Sequence, residues 1–248
     1  MLDKNIRNQI VELIQQQVVP AIGCTEPMAV ALCTARSTEL LGCRPEAIEV
    51  FLSPNMLKNA MGVGIPGTGM IGLPIAVALG ALIGKSEYKL EVIKDLTPES
   101  LEAGKQFIAN STIDIKLKEN NTEKLYIEVV CKAGEKQATS VITGSHTNFV
   151  YEAVDGKPLY DNRTSSSETA EEEEFTLNLR MVYDFATTSP IEELEFIRES
   201  KHYNMRAAAE ALKENYGHCL GKLMERPLGR GIFGNSIFSH IISKTASA

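Results

Sequence analysis

Apolar residues recur at helical spacing from the start of the chain, where Ile6, Ile10, Leu13, Ile14 and Val18 fall on one face. This predicts an amphipathic helix ending before Pro20. After a short link through Gly23, a second helix is predicted from about Thr25 to Leu41. Thr25 can cap it, Pro27 sits in the first turn where a missing amide costs nothing, and Gly42 ends it. Ile48 to Leu52 alternates between Pro45 and Pro54 and reads as a strand. Asn55 to Thr68 is the least regular part of this half. Met70 to Ile83 is the most apolar stretch, and its small residues Gly72, Ala76, Ala78, Gly80 and Ala81 predict a buried helix that lets backbones approach closely, closed by Gly84.

The texture then changes. Tyr88 to Ile93 alternates and reads as a strand, and Thr97-Pro98-Glu99 opens a helix with its body at Leu101 to Ala109. Three alternating runs follow, at Ile113 to Lys118, Leu125 to Cys131 and Ala138 to Thr143. The links Glu119-Asn-Asn-Thr and Ala133-Gly134-Glu135 predict that they form an antiparallel meander, with Phe149 to Val154 adding a strand before the Asp155-Gly156 turn. Lys157 to Glu174 has no period, and its Ser- and Glu-rich part from Thr164 reads as a solvated, mobile segment. Ser189-Pro190-Ile-Glu-Glu opens a helix, Met205 to Met224 is helical with a break near Gly217, and the glycine-rich tail from Arg226 reads as a connection to further structure. The expected fold class is α+β: N-terminal helices, one of them buried and glycine-rich, packed with a mainly antiparallel sheet. The expected segments are 1–85, 86–188 and 189–248.

Composition narrows the function classes. The chain has 248 residues and a net charge of −7, with no Lys/Arg cluster able to neutralise a row of phosphates, so a nucleic-acid partner is not expected. The N-terminus lacks the charged-then-apolar pattern of a signal peptide, and the 14 residues from Met70 fall short of the roughly 20 that span a bilayer. A cytoplasmic protein without membrane segments is expected. Five cysteines without close pairs fit free thiols in a reducing compartment.

The densest chemistry lies in Ala21 to Pro27, which reads A-I-G-C-T-E-P. Cys24 precedes the second helix, where free amides and the dipole favour a thiolate, whereas Glu26 in the first turn opposes its ionisation. The two can divide donor and acceptor roles for a proton. A small cysteine buried beside a helix cap is the bland reading, and local pattern does not separate the two. The run Asn55 to Gly69, N-M-L-K-N-A-M-G-V-G-I-P-G-T-G, offers backbone amides and Lys58 to an anion, or else is a tightly packed turn. Gly144-Ser-His-Thr-Asn-Phe supplies His146 as an acid or base, with Thr147 and Asn148 as partners. Cys33 reads as core, His202, His218 and His240 read as structural or exposed, and His218-Cys219 lacks a partner at ligand spacing.

Together, G-C-T-E-P, K-N-A-M-G-V-G-I-P-G-T and S-H-T-N-F-V-Y-E resemble the L-cysteine desulfidase family, a serine-dehydratase-like group related to the alpha subunit of iron-sulfur L-serine dehydratases. The resemblance covers the whole chain in order. It implies a lyase that uses a 4Fe-4S cluster to eliminate sulfide or water from L-cysteine or L-serine, giving pyruvate and ammonia. Carried onto this sequence, it implies Cys24 as base or cluster neighbour, with ligation by Cys24 left open. It implies Thr25 and Glu26 as orienting the substrate, Lys58, Asn59, Gly67 and Thr68 as receiving its carboxylate, and His146 with Asn148 in the pocket. Family members continue past the point where this sequence stops, and their cluster cysteines resemble features of that further part. The resemblance therefore implies that this chain does not hold the cluster alone, and that a companion segment completes it, with a homo-oligomer also open. The competing expectation is a non-catalytic protein that is structural or binds a small acid.

Overall fold

The computed structural model describes residues 2–163 and 175–213. The predicted mobile segment from Thr164, the run beyond residue 213 and the glycine-rich tail lie outside the described residues. Contacts divide the chain into two compact units, one formed by residues 1–19 with 173–248 and the other by 20–172. In the first, α1 (Lys4–Gln17) starts at Asp3, whose carboxylate accepts from the Asn5 amide at 2.8 Å, and it buries Ile10.

The larger unit begins with α2 (Thr25–Leu41), which has the predicted bounds. Gly42 ends it in the left-handed conformation at φ 73°, the stop that a residue without Cβ adopts most readily. Cys24 stands in the capping position, and Thr25 is the first helical residue. From Met28 to Ala35 no residue is more than 1% exposed, so the middle of α2 is buried all round. β1 (Ala47–Leu52) and α3 (Pro54–Ala60) follow. A small hairpin, β2 (Gly64–Ile65) with β3 (Met70–Ile71), takes the first residues of the predicted apolar helix, which runs instead as α4 (Leu73–Ile83).

The strand predicted at Tyr88 is a 3-10 turn, Ser86–Glu91. Tertiary bonds fold it back: Ser86 donates its amide and hydroxyl to Glu39 at 2.7 and 2.6 Å, and Lys85 pairs with Asp95 at 2.7 Å. After α5 (Pro98–Asn110), opened by a Thr97–Ser100 capping box, come β4 (Thr112–Leu117), β5 (Tyr126–Ala133), β6 (Lys136–Thr143), β7 (Phe149–Val154) and β8 (Lys157–Asp161).

These strands form one sheet in the order β4-β1-β5-β6-β7-β8. It is antiparallel except for β4, which pairs parallel with β1, Ile48 opposite Ile113. The meander expected of three consecutive strands therefore starts at β5, and β1 separates β4 from it. The long β1-to-β4 connection contains α3, α4 and α5, which gives the chain the length a parallel crossover needs. β8 was not legible as a strand because every residue of it is exposed. It is created by the Asp155-Gly156 turn, with φ of 48° and 73°, the two-residue geometry that closes a hairpin.

One sheet face takes α2. Ser37 Oγ lies 3.0 Å from the Val129 carbonyl oxygen and 2.6 Å from Ser140 Oγ, which lies 2.8 Å from the Cys33 carbonyl oxygen, so two hydroxyl protons serve three contacts between helix and sheet. Against its other side lies α4, with α5 beyond. Gly80 is pressed on α2 so closely that a Cβ would stand 2.5 Å from the Ala31 carbonyl oxygen. The predicted role of the small residues in this stretch is therefore the observed one at Gly80.

In the first unit, Asn178 caps α6 (Leu179–Thr188), a helix without a counterpart in the sequence pattern. The helix expected at Ser189-Pro190 is a short 3-10 turn, Ile191–Leu194, and α7 (Ile197–Lys213) starts before the predicted Met205. Arg7 of α1 donates to Glu193 at 3.1 Å, and Phe185 and Ala208 are buried.

Gly80→Ala tests the α2–α4 contact. Its Cβ would meet backbone, which cannot yield as a side-chain tip does, so overpacking of about 1–3 kcal/mol exceeds the gain of about 0.5–1 kcal/mol from alanine in a helix. Urea unfolding should show a lower midpoint with an unchanged slope.

Candidate functional site

The first turn of α2 presents Cys24, Thr25 and Glu26 together, all partly buried. Cys24 donates from Sγ to Glu26 Oε2 at 3.0 Å, and Thr25 donates from Oγ1 to the same oxygen at 3.2 Å. The second carboxylate oxygen, Oε1, accepts from Asn59 Nδ2 at 3.2 Å. One carboxylate thus gathers three donors from two helices.

Asn59 reaches it because α3 is anchored at its start. Buried Ser53 donates its amide to the Tyr126 carbonyl at 3.0 Å and its hydroxyl to the Lys124 carbonyl at 2.8 Å, tying α3 to the beginning of β5. Lys58 is exposed beside Asn59 and makes no ion pair among the described residues. Behind the motif, Gly23 abuts the glycine-rich turn so tightly that a Cβ there would stand 2.5 Å from Pro66 Cγ. Within that turn the Thr68 hydroxyl donates to the Ile65 carbonyl at 2.7 Å and accepts from the Met70 amide at 3.0 Å. Gly67 has φ of 75°, and a Cβ on it would meet Leu96 Cδ2 at 2.9 Å. The turn is therefore packed against the helix start, with the Thr68 side chain engaged inside it.

The electrostatics of the pair run opposite to the expectation from the helix terminus alone. Burial raises the Cys24 thiol above its ordinary value, and the hydrogen bond to Glu26 and that group's charge raise it further, while bonds to backbone amides pull it down and lose. Glu26 is held below the usual carboxylate range, chiefly by the Cys24 hydrogen bond, with its own amide, Asn59 and Thr25 assisting. The proton sits on sulfur and the charge on carboxylate. A carboxyl lowered in this way stabilises the fold above its unfolded-state value, and that contribution is lost as acid titrates through the lowered one.

His146 and Asn148 lie in the turn between β6 and β7. Cys33 of α2 bonds Ser140, Ser37 bonds Val129, and Thr38 contacts Cys131, so α2 runs alongside β5 in the same direction. Its N-terminus therefore points to the sheet end that carries this turn. No hydrogen bond joins His146 or Asn148 to Cys24, Glu26 or Asn59 among the described residues. Asn148 donates to the Thr143 carbonyl at 3.1 Å and borders a separate cavity of about 400 Å³ beside Tyr126 and Arg163, one that Cys24 and Glu26 do not line. Of the expected site residues, the structure joins Cys24, Thr25, Glu26 and Asn59 directly. The sequence pattern gives no role to Pro66 and Ser53, and Gly23 appears in it only as a link.

The described residues do not fit an iron-sulfur cluster. No three His, Cys, Asp or Glu side chains among them converge. Cys33 and Cys131 are buried singly and their thiols are pushed up to about 12 by burial, while Cys43 is exposed. Cys219, His218 and His240 lie outside the described residues. No helix among the described residues is long and apolar enough to cross a membrane.

The chain is homologous to UPF0597 proteins. It is 59% identical over 242 residues to one from Bacteroides thetaiotaomicron, covering 98% of this chain and 56% of that relative. A relative in Porphyromonas gingivalis is 44% identical over 253 residues, covering all of this chain and 58% of the relative. One in Actinobacillus pleuropneumoniae is 35% identical over 245 residues, covering 98% and 56%. The chain thus spans little more than half the length of the curated relatives it matches. No family model matches it, and no solved structure does.

Glu26→Gln removes the charge that holds the proton on Cys24. The pH midpoint of iodoacetamide labelling at Cys24, followed by peptide mass spectrometry, should fall, and each pH step by which it falls should speed labelling below the midpoint by roughly tenfold. An unchanged midpoint would show that burial alone sets the thiol.

Proposed function

We propose that the described residues form a binding site for a small amino acid and carry no elimination chemistry by themselves. The observation behind this reading is the ionised Glu26, held by three donors at a partly open helix start. A carboxylate offers about four acceptor positions, so one remains for an external donor. The complementary group is an ammonium, and a substrate carboxylate placed there would be repelled. The carboxylate end of the ligand instead lies towards exposed Lys58, the cation beside Asn59 that has no ion pair among the described residues.

A second reading is supported by the resemblance to L-cysteine desulfidases and by the length of the UPF0597 relatives, of which this chain matches 56 to 58%. In it, the same site is the amino-acid side of a lyase, and a companion segment brings the cluster that the described residues do not fit. Such a cluster supplies a Lewis acid. The contribution of this chain is then to bind the ammonium, orient the carbon skeleton and hold a proton at Cys24 Sγ. L-Cysteine and L-serine both suit the site, because they share the two charged groups that it contacts.

Calorimetric titration of the chain with L-serine should show saturable binding with Kd on the order of 1 mM, about −4 kcal/mol, weakened at least tenfold by Glu26→Gln. Anaerobic incubation with iron, sulfide and L-cysteine should release no pyruvate from the chain alone. Absent binding would remove the first reading, and pyruvate release would favour a complete lyase.

A further inference from the structure

The sheet has two edges, and they are built differently. β8 ends it on one side with Lys157 and Pro158 and with every residue exposed, a composition that discourages a further strand. β4 ends it on the other side, reads Thr-Ile-Asp-Ile-Lys-Leu without proline or glycine, and keeps an unshifted register with β1. No strand lies beyond it among the described residues. Lys118 donates its amide to the Leu52 carbonyl at 2.9 Å, so by the alternation of a strand Lys116 and Asp114 also turn their backbone groups to β1. The N–H and C=O groups of Ile113, Ile115 and Leu117 therefore point away from β1, along the open edge. The side chains of these three residues share the face of Ile48, Val50 and Leu52, where Ile113 and Ile115 pack against the core and Leu117 is left 51% exposed. Asp114 and Lys116 stand on the opposite face and pair with each other.

We propose that β4 is a self-association edge: two copies of the chain join through it antiparallel, about a two-fold axis at Ile115 perpendicular to the sheet, with Asp114 of each copy facing Lys116 of the other. The strand is self-complementary in this register. Ile115 opposes its own counterpart and Ile113 opposes Leu117 of the second copy, and each opposed pair exchanges both of its N–H···O bonds because these are the residues whose backbone groups face outward. The axis keeps the apolar row of both copies on one face, so Leu117 gains an apolar neighbour there. On the other face the charged residues fall at the closer, non-hydrogen-bonded positions, where opposite charges support pairing. Sliding one copy by two residues sets Asp114 against Asp114 or Lys116 against Lys116. A slide by one misaligns the donors and turns the apolar row to the charged face. Charge and hydrogen bonding thus select the same register, and the occupant they select is a second copy of this chain.

An edge pairing is a small interface, so sedimentation velocity of the whole chain should show a concentration-dependent species of twice the chain mass with Kd on the order of 10 μM. Asp114→Lys and Lys116→Asp, each with folding confirmed by circular dichroism, should each weaken it by at least about tenfold, since like charges then oppose each other twice. The double variant Asp114→Lys with Lys116→Asp restores opposite charges across the axis and should recover the dimer. As a second measurement, a mixture of unlabelled and nitrogen-15 chain treated with a carbodiimide should yield an Asp114–Lys116 cross-link between light and heavy peptides, which a bond within one copy cannot give. A monomer up to about 0.1 mM, well above that Kd, would overturn the inference. So would a dimer that either single variant leaves intact, or one that the double variant fails to restore.

Discussion

α2 is held by two contacts at near-backbone distance, and the position of everything at its first turn follows from them. On one side Gly80 brings α4 against the Ala31 carbonyl, and on the other Ser37 and Ser140 share a 2.6 Å hydrogen bond across to the sheet. A helix whose middle is buried all round has no solvated face there along which to slide. Ser37 of α2 reaches a strand carbonyl and Ser140 of β6 a helix carbonyl, which removes the cost of burying hydroxyls without partners. With the axis fixed in this way, Cys24 lands at the sheet end where α3 begins and the glycine-rich turn packs.

At that place two effects compete for the sign of the Cys24 shift. The helix terminus favours a thiolate by about 0.3–1 kcal/mol at a partly exposed site. A hydrogen bond to a charged group contributes about 1.5–3 kcal/mol, and here it acts on the protonated thiol because the acceptor is the ionised Glu26. Burial is the larger cause of the upward shift and the direct bond to Glu26 the next, and together they outweigh the dipole. The same first turn favours a carboxylate too, and Glu26 takes that position with support from Asn59. The acid that lies lower wins the charge.

Much of the fold could be read from pattern, and the failures share a cause. α2 was legible to within one residue, its cap falling on Cys24 in place of Thr25, because Gly42, Pro27 and a buried run fixed both ends. The period of β4 was also legible, yet its partner was not, since alternation encodes which face is apolar and carries nothing about which strand lies alongside. Tyr88 to Ile93 alternates only locally, and Leu90, Val92 and Ile93 are all buried in a turn held by Glu39 and Asp95, bonds made by residues elsewhere in the chain. The site divides along the same line. Cys24, Thr25 and Glu26 are adjacent in sequence and visible together, whereas Asn59 lies 33 positions from Glu26 and reaches it only through the α3 anchor.

The distribution of thiols decides which sulfur can take part in chemistry. Cys33 and Cys131 are held protonated by burial and face hydroxyl or carbonyl partners inside the α2–sheet contact, where a metal would have to displace core packing. Cys24 is joined to an acidic partner, and that partner is ionised while the sulfur retains its proton. A sulfur in this state is a proton donor and a poor ligand, because metals bind the thiolate. In the amino-acid-binding reading proposed above, Glu26 is the place for the ligand's ammonium next to a proton stored on Cys24, and an electrophile for elimination is not supplied by a His, Cys, Asp or Glu cluster among the described residues.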